Sequence, residues 1–198
     1  MDSDRTLQEI AQTAARLIVE DGLDYASARR KAMQEHAEGR RLREVPSNET
    51  IEDEVRAYIQ LFCADTQPAE LRVLREAALR WMTRLQEFRP HVAGAVWRGT
   101  ATRQSIVRID LYCADTKGPE IALLNLGIDY ETASAPTGRG EHSLTLIVAE
   151  RHEELGDWVT IHLNVLDLDD LRGALKPDAR GHTWRGDRAA LQRLLKNS

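Results

Sequence analysis

The sequence predicts an α+β fold, in which a helical N-terminal half precedes a small mixed sheet with flanking helices. Three observations carry this prediction. Apolar residues recur at helical spacing up to Phe88, the pattern turns strand-like after Pro90, and an amphipathic segment closes the chain. A length of 198 residues suits one structural unit, with a helical region over 1–90 packing on an α+β region over 91–198.

From Arg5 to Glu20 the residues Leu7, Ile10, Ala14, Leu17 and Ile18 form an amphipathic stripe, and Gly22 offers the left-handed turn that ends a helix. A second helix is predicted from Tyr25 to about Ala37, with a thin apolar face, followed by a charged stretch from Glu38 to Arg43. Ser47 and Asn48 precede Glu49, Glu52 and Asp53, a helix start with acids over the positive end of the dipole. The strongest helical period runs through Leu71, Leu74, Ala78, Trp81, Met82, Leu85 and Phe88, closed by Arg89-Pro90.

Strands are then predicted over His91–Trp97 and Ser105–Cys113, joined by a turn from Arg98 to Thr102. A helix is expected over Lys117–Leu126, ended by Gly127. Two more strands follow over Glu141–Glu150 and Trp158–Val165, and Asp187 caps a final helix. The hexapeptide at 61–66 echoes that at 111–116, yet the first ends a helix and the second a strand, so it is not read as a repeat.

Composition excludes several classes. Hydrophobic residues make up 42% and charged residues 30%, ordinary for a globular protein. No run of roughly 18 apolar residues is present, which excludes a membrane-spanning helix, and no standard secretory signal opens the chain. Cys63 and Cys113 are too few for a disulfide framework, so the expected location is the cytoplasm. The net charge of −5 is unevenly spread. Residues 171–198 hold seven cations against Asp178 and Asp187, a net of +5, which leaves −10 for the other 170. Such a tail is either a solvated helix and loop or a surface for a polyanion such as nucleotide or RNA.

The informative stretch runs from Gly94 to Leu111. Gly94-Ala95 is a small pair after a strand, Arg98-Gly99 forms a turn, and Ser105 opens the next strand. This pattern resembles the signature of the polymerase-β-like nucleotidyltransferase superfamily, over roughly 20 residues. The resemblance implies paired carboxylates at 106 and 108, aimed at two magnesium ions that clamp a triphosphate. Ile106 and Arg108 stand there instead. Asp110 lies two residues on, on the same strand face as Arg108, and the later strand offers Thr160, His162 and Asn164 with no acid before Asp167. The metal site is therefore expected to be dismantled, and the chain is not expected to be an active nucleotidyltransferase.

Such a frame leaves Gly94, Arg98, Gly99, Thr100, Ser105, Arg108, Asp110 and His162 as candidate ligand contacts. Arg108 either holds phosphate as a fixed cation, helped by turn amides at Gly99 and Thr100, or pairs with Asp110 or Glu141. His162 is either a general base or a polar-face histidine. Of the cluster Asp167, Asp169 and Asp170, either Asp167 and Asp169 bind a cation or the acids cap a helix. His182 and Trp184 beside basic residues suit single-stranded nucleic acid, or a loop folded onto the core. Gly138-Arg139-Gly140 reads as a loop. The segment Ala14–Gly22 also resembles the opening of TetR-type repressors, but the charged stretch Glu35–Glu44 lacks the apolar positions that brace a helix-turn-helix.

The leading expectation is thus a catalytically degenerate nucleotidyltransferase-like protein that binds nucleotide or RNA phosphate without a cofactor. One alternative is an active Mg²⁺-dependent transferase with Asp110 and Asp167 as relocated ligands. Another is a protein-interaction module, binding a partner or a second copy through the helical half.

Overall fold

A computed structural model describes residues 2–36, 44–136 and 142–197. The predicted stretches at 38–43 and 138–140, and Glu141 as a partner for Arg108, lie outside the described residues. The architecture is α+β, with helices first and a mixed sheet after them. The chain divides into two compact units, Met1–Pro68 with Thr100–Ser105, and Ala69–Gly99 with Ile106–Ser198.

The first unit is built from α1 (Asp2–Asp21), α2 (Tyr25–His36) and α3 (Asn48–Phe62). Ile10, Ala14, Leu17 and Ile18 of α1 meet Ile51, Val55 and Ile59 of α3 in one apolar cluster, which also holds Ala28 and Ala32 of the thin-faced α2. Ser47 caps α3, its hydroxyl accepting from Thr50 N–H at 3.1 Å. Gly22 does more than end α1. Its φ is +67°, and a Cβ there would sit 2.6 Å from the Gln104 carbonyl oxygen, so only glycine lets the 100–105 segment lie against this turn.

The second unit contains α4 (Gln67–Arg84, from Ala69 onward), β1 (His91–Ala93), α5 (Gly94–Arg98), β2 (Val107–Cys113), α6 (Gly118–Asn125), β3 (Glu131–Pro136), β4 (His142–His152), β5 (Asp157–Asp167), β6 (Arg185–Asp187) and α7 (Arg188–Lys196). Strand order is β3-β4-β5-β2-β1-β6. The pairs are antiparallel except β2 with β5, which run parallel with Arg108 opposite His162 and Asp110 opposite Asn164. Alternation then sorts the two faces. Val107, Ile109 and Leu111 lie with Ile161, Leu163 and Val165 on a buried apolar face, while Arg108, Asp110, His162 and Asn164 lie on the other. α4 anchors to the sheet through Trp81, whose indole N–H donates to Glu150 at 3.0 Å.

Two predicted boundaries are corrected. The strand expected over His91–Trp97 stops at Ala93, because Gly94 takes φ +66° and turns the chain into α5. The next strand begins at Val107 and not at Ser105, whose hydroxyl instead accepts from Thr102 N–H at 3.0 Å in the preceding turn. The tail is also more structured than a loose loop. Asp167 caps a 3₁₀ turn at Leu168–Leu171, Pro177 bridges to Thr183, and β6 joins the sheet before Asp187 caps α7. The sequence pattern does not predict β3 and β6. They are short or polar, and pairing with β4 and β1 defines them. Among the described residues no helix is long and apolar enough to cross a membrane.

Candidate functional site

The polar face of β2 and β5 brings together four of the predicted residues, Gly94, Arg108, Asp110 and His162. Gly94 lies beside Arg108, where a Cβ at 94 would make an ordinary van der Waals contact with Arg108 Cδ at 3.5 Å. Arg108 and His162 are half-buried register partners on adjacent parallel strands. Among the described residues neither has a hydrogen bond or an ion pair. Burial, and then the charge of Arg108, hold the His162 imidazole below its usual titration range, so it stands neutral at pH 7.

Asp110 differs from both. Its carboxylate is buried and fully engaged: Asn164 Nδ2 donates to one oxygen at 2.8 Å, and Arg185 Nε lies 3.1 Å from the other. Arg185 Nε is not aligned to donate a hydrogen bond, so that contact is an ion pair only. Asn164 Oδ1 in turn accepts from Thr145 Oγ1 at 3.0 Å, which extends the polar row across β4. Tyr112, the next residue on this face, is buried with a hydroxyl that lacks a hydrogen-bond partner. Burial and the nearby Asp110 push its pKa up to about 12.

Arg98 and Gly99, of the same unit, do not join this face. The Arg98 side chain is 7% exposed and bound internally, donating to Asp178 at 3.1 Å and to the Thr183 carbonyl at 3.3 Å, with its guanidinium over the Trp184 ring at 4.4 Å. Arg98 thus ties down the tail, and Trp184 folds back under it. The backbone N–H of Gly99 closes α5 by donating to Ala95 O, so it is not available for an anion. Thr100 and Ser105 belong to the first unit, where Thr100 is buried and Ser105 serves the turn.

The residues do not fit a divalent metal. Asp110 has both oxygens occupied, and Asp167 uses its carboxylate on Asp169 N–H at 2.8 Å. In the β2–β5 register Asp167 lies opposite Cys113, three residues beyond the Asp110–Asn164 pair, which places the two acids about 10 Å apart and on opposite faces. Among the described residues no group of three or more His, Cys, Asp or Glu is placed to hold a metal ion.

Asn164, Arg185 and Tyr112 complete the site, and sequence reasoning does not single them out. Asn164 is visible there only as a neighbour of His162. Arg185 is visible only as part of a basic tail, because β6 is three residues long and carries no alternation signal. A separate concavity of about 590 Å³ lies at the start of β1, lined by His91, Arg89, Asp187 and Arg188 among others. Its charges are of both signs, and Arg188 there already donates to Gln86 at 3.2 Å. Comparison of the chain with protein-family models, curated proteins and solved structures gives no match.

Proposed function

We propose that the protein binds the phosphate of a nucleotide or RNA on the polar face of β2 and β5, without a metal and without transferring the phosphoryl or nucleotidyl group. The observation that carries this reading is Arg108, a half-buried guanidinium with no partner among the described residues, beside a neutral His162 and an Asp110 already neutralised by Arg185. None of its guanidinium nitrogens is a buried, unpartnered atom, so the group reaches solvent and is open to a ligand anion, and its fork suits two phosphate oxygens. Catalysis by two metals needs converging carboxylates, and here one position holds Arg108 while the other acid is consumed.

The tail supports the same partner class. Its two acids are both used internally, Asp178 by Arg98 and Asp187 as the cap of α7. Among the described residues Arg172, Lys176, Arg193 and Lys196 have no ion-pair partner. Phosphate groups of a longer ligand have these cations to meet.

The test is a thermal-unfolding panel with each nucleoside triphosphate and a short RNA, with and without Mg²⁺. Ligand at about 100 times its Kd adds roughly 2.7 kcal/mol of stability. A shift without Mg²⁺ that Arg108→Met removes supports the reading. A shift seen only with Mg²⁺, or retained in Arg108→Met, contradicts it.

A further inference from the structure

We infer that the Arg108–His162 pair selects a phosphomonoester, the terminal phosphate of a mononucleotide or of an RNA end, over the internal phosphodiesters of a chain. This deepens the reading above and rests on it. The two side chains are register partners on one face, both half-buried, and among the described residues both without a hydrogen bond or ion pair. One supplies a permanent positive charge and the other a titratable donor, so together they offer two charges to a ligand that carries two. A monoester dianion has a second pKa near 6, close to that of imidazole, whereas a diester carries a single charge and no proton to share.

The charged surroundings leave that role to His162. On β2 it faces Arg108 and the occupied Asp110, and on β4 the register neighbours Thr145, Ile147 and Ala149 carry no charge, with Arg151 beyond them. Glu131 of β3 lies in the same row beyond Ile147, on an exposed edge two strands away. Across β2 stand His91 of β1 and Arg185 and Asp187 of β6, with Arg185 paired to Asp110 and Asp187 capping α7. No acid sits beside His162 unengaged among the described residues, so a dianion placed between it and Arg108 is what would draw a proton onto the ring. Binding then takes up a proton, and affinity rises as pH falls from 8 towards 6.5, by at most about tenfold per pH unit for one coupled proton.

The experiment is isothermal titration of the full chain with adenosine 5′-monophosphate, with adenosine 3′,5′-cyclic monophosphate as the diester, and with one RNA oligonucleotide bearing or lacking a 5′-phosphate. Each is run in two buffers of different ionisation enthalpy. The expected result is tighter binding of the phosphomonoester in at least one of the two comparisons, with uptake of close to one proton that His162→Gln removes. The mononucleotide and oligonucleotide arms show which source of terminal phosphate is used. Equal binding of monoester and diester with no proton uptake by the wild-type chain overturns the inference and leaves the Arg108 anion site standing. Absence of binding by all four ligands overturns both.

Discussion

Arg98 and Arg108 lie ten residues apart in the stretch that resembles a nucleotidyltransferase signature, and they end in opposite surroundings. Arg98 closes α5 and is enclosed by Asp178, the Thr183 carbonyl and the Trp184 ring. Arg108 stands on β2 beside Gly94 and His162 with no partner among the described residues. Both are arginines near a glycine turn, so residue type and spacing do not separate them. What separates them is long-range pairing. The tail supplies Asp178 to one, and Arg185 from the same tail takes the nearby acid, Asp110, away from the other. A structural arginine is one whose charge has been met from within the chain.

The contrast can be broken first at Arg98. Arg98→Met leaves the Asp178 carboxylate 4% exposed without its guanidinium, and removes the stack on Trp184. Of all the substitutions it is expected to give the largest fall in Tm, with increased hydrogen exchange across residues 172–187. Next in size is Gly186→Ala. A Cβ at this position would sit 2.2 Å from the Trp97 ring, which is itself held by its indole N–H to Thr183 O at 2.9 Å. Overpacking of this kind costs about 1–3 kcal/mol, measurable by urea denaturation. Gly94→Ala acts on the Arg108 side. At φ +66° an L-residue costs about 1–2 kcal/mol, whereas the added Cβ meets Arg108 Cδ only at an ordinary contact distance of 3.5 Å, so stability should fall with phosphate affinity largely kept.

Smaller effects sharpen the comparison. His162 has its pKa lowered by burial and then by Arg108, so the folded state favours the neutral ring. That contribution is fully present above the unfolded pKa near 6.5 and is lost as pH falls from there through the lower folded pKa. His162→Gln should therefore flatten the decline in stability between pH 7 and pH 5. Arg108→Met should change stability least, within about 0.5 kcal/mol, since no internal partner is lost. The same substitution should raise the His162 pKa seen by NMR, though only in part, because burial is the larger cause.

Much of the fold is legible in the sequence because it rests on local signals. The stripe of α1, the Ser47 cap, Gly127 after α6 and the Asp187 cap each depend on residues within a turn or two. The polar face of β5 is equally readable, since Thr160, His162 and Asn164 alternate with buried aliphatics. The errors have a different origin. His91–Trp97 alternates like a strand, but the backbone at Gly94 and the docking of Trp97 on Gly186 make its second half a helix. β6 is fixed by pairing with β1, nearly a hundred residues earlier, and so the Arg185–Asp110 ion pair has no signal in either neighbourhood. Arg98 reads like Arg108 in sequence for the same reason, since Asp178 is eighty residues away.

The central claim is that Arg108 is an unmet cation that takes phosphate and needs no metal. Its most direct test is titration of the wild-type chain and Arg108→Met with a nucleoside monophosphate in the presence of EDTA. The account predicts saturable binding by the wild type and a loss of at least about tenfold in Arg108→Met, the difference that one charge-assisted phosphate contact supplies. Equal affinity in the two chains, or binding that appears only when Mg²⁺ is restored, would contradict it.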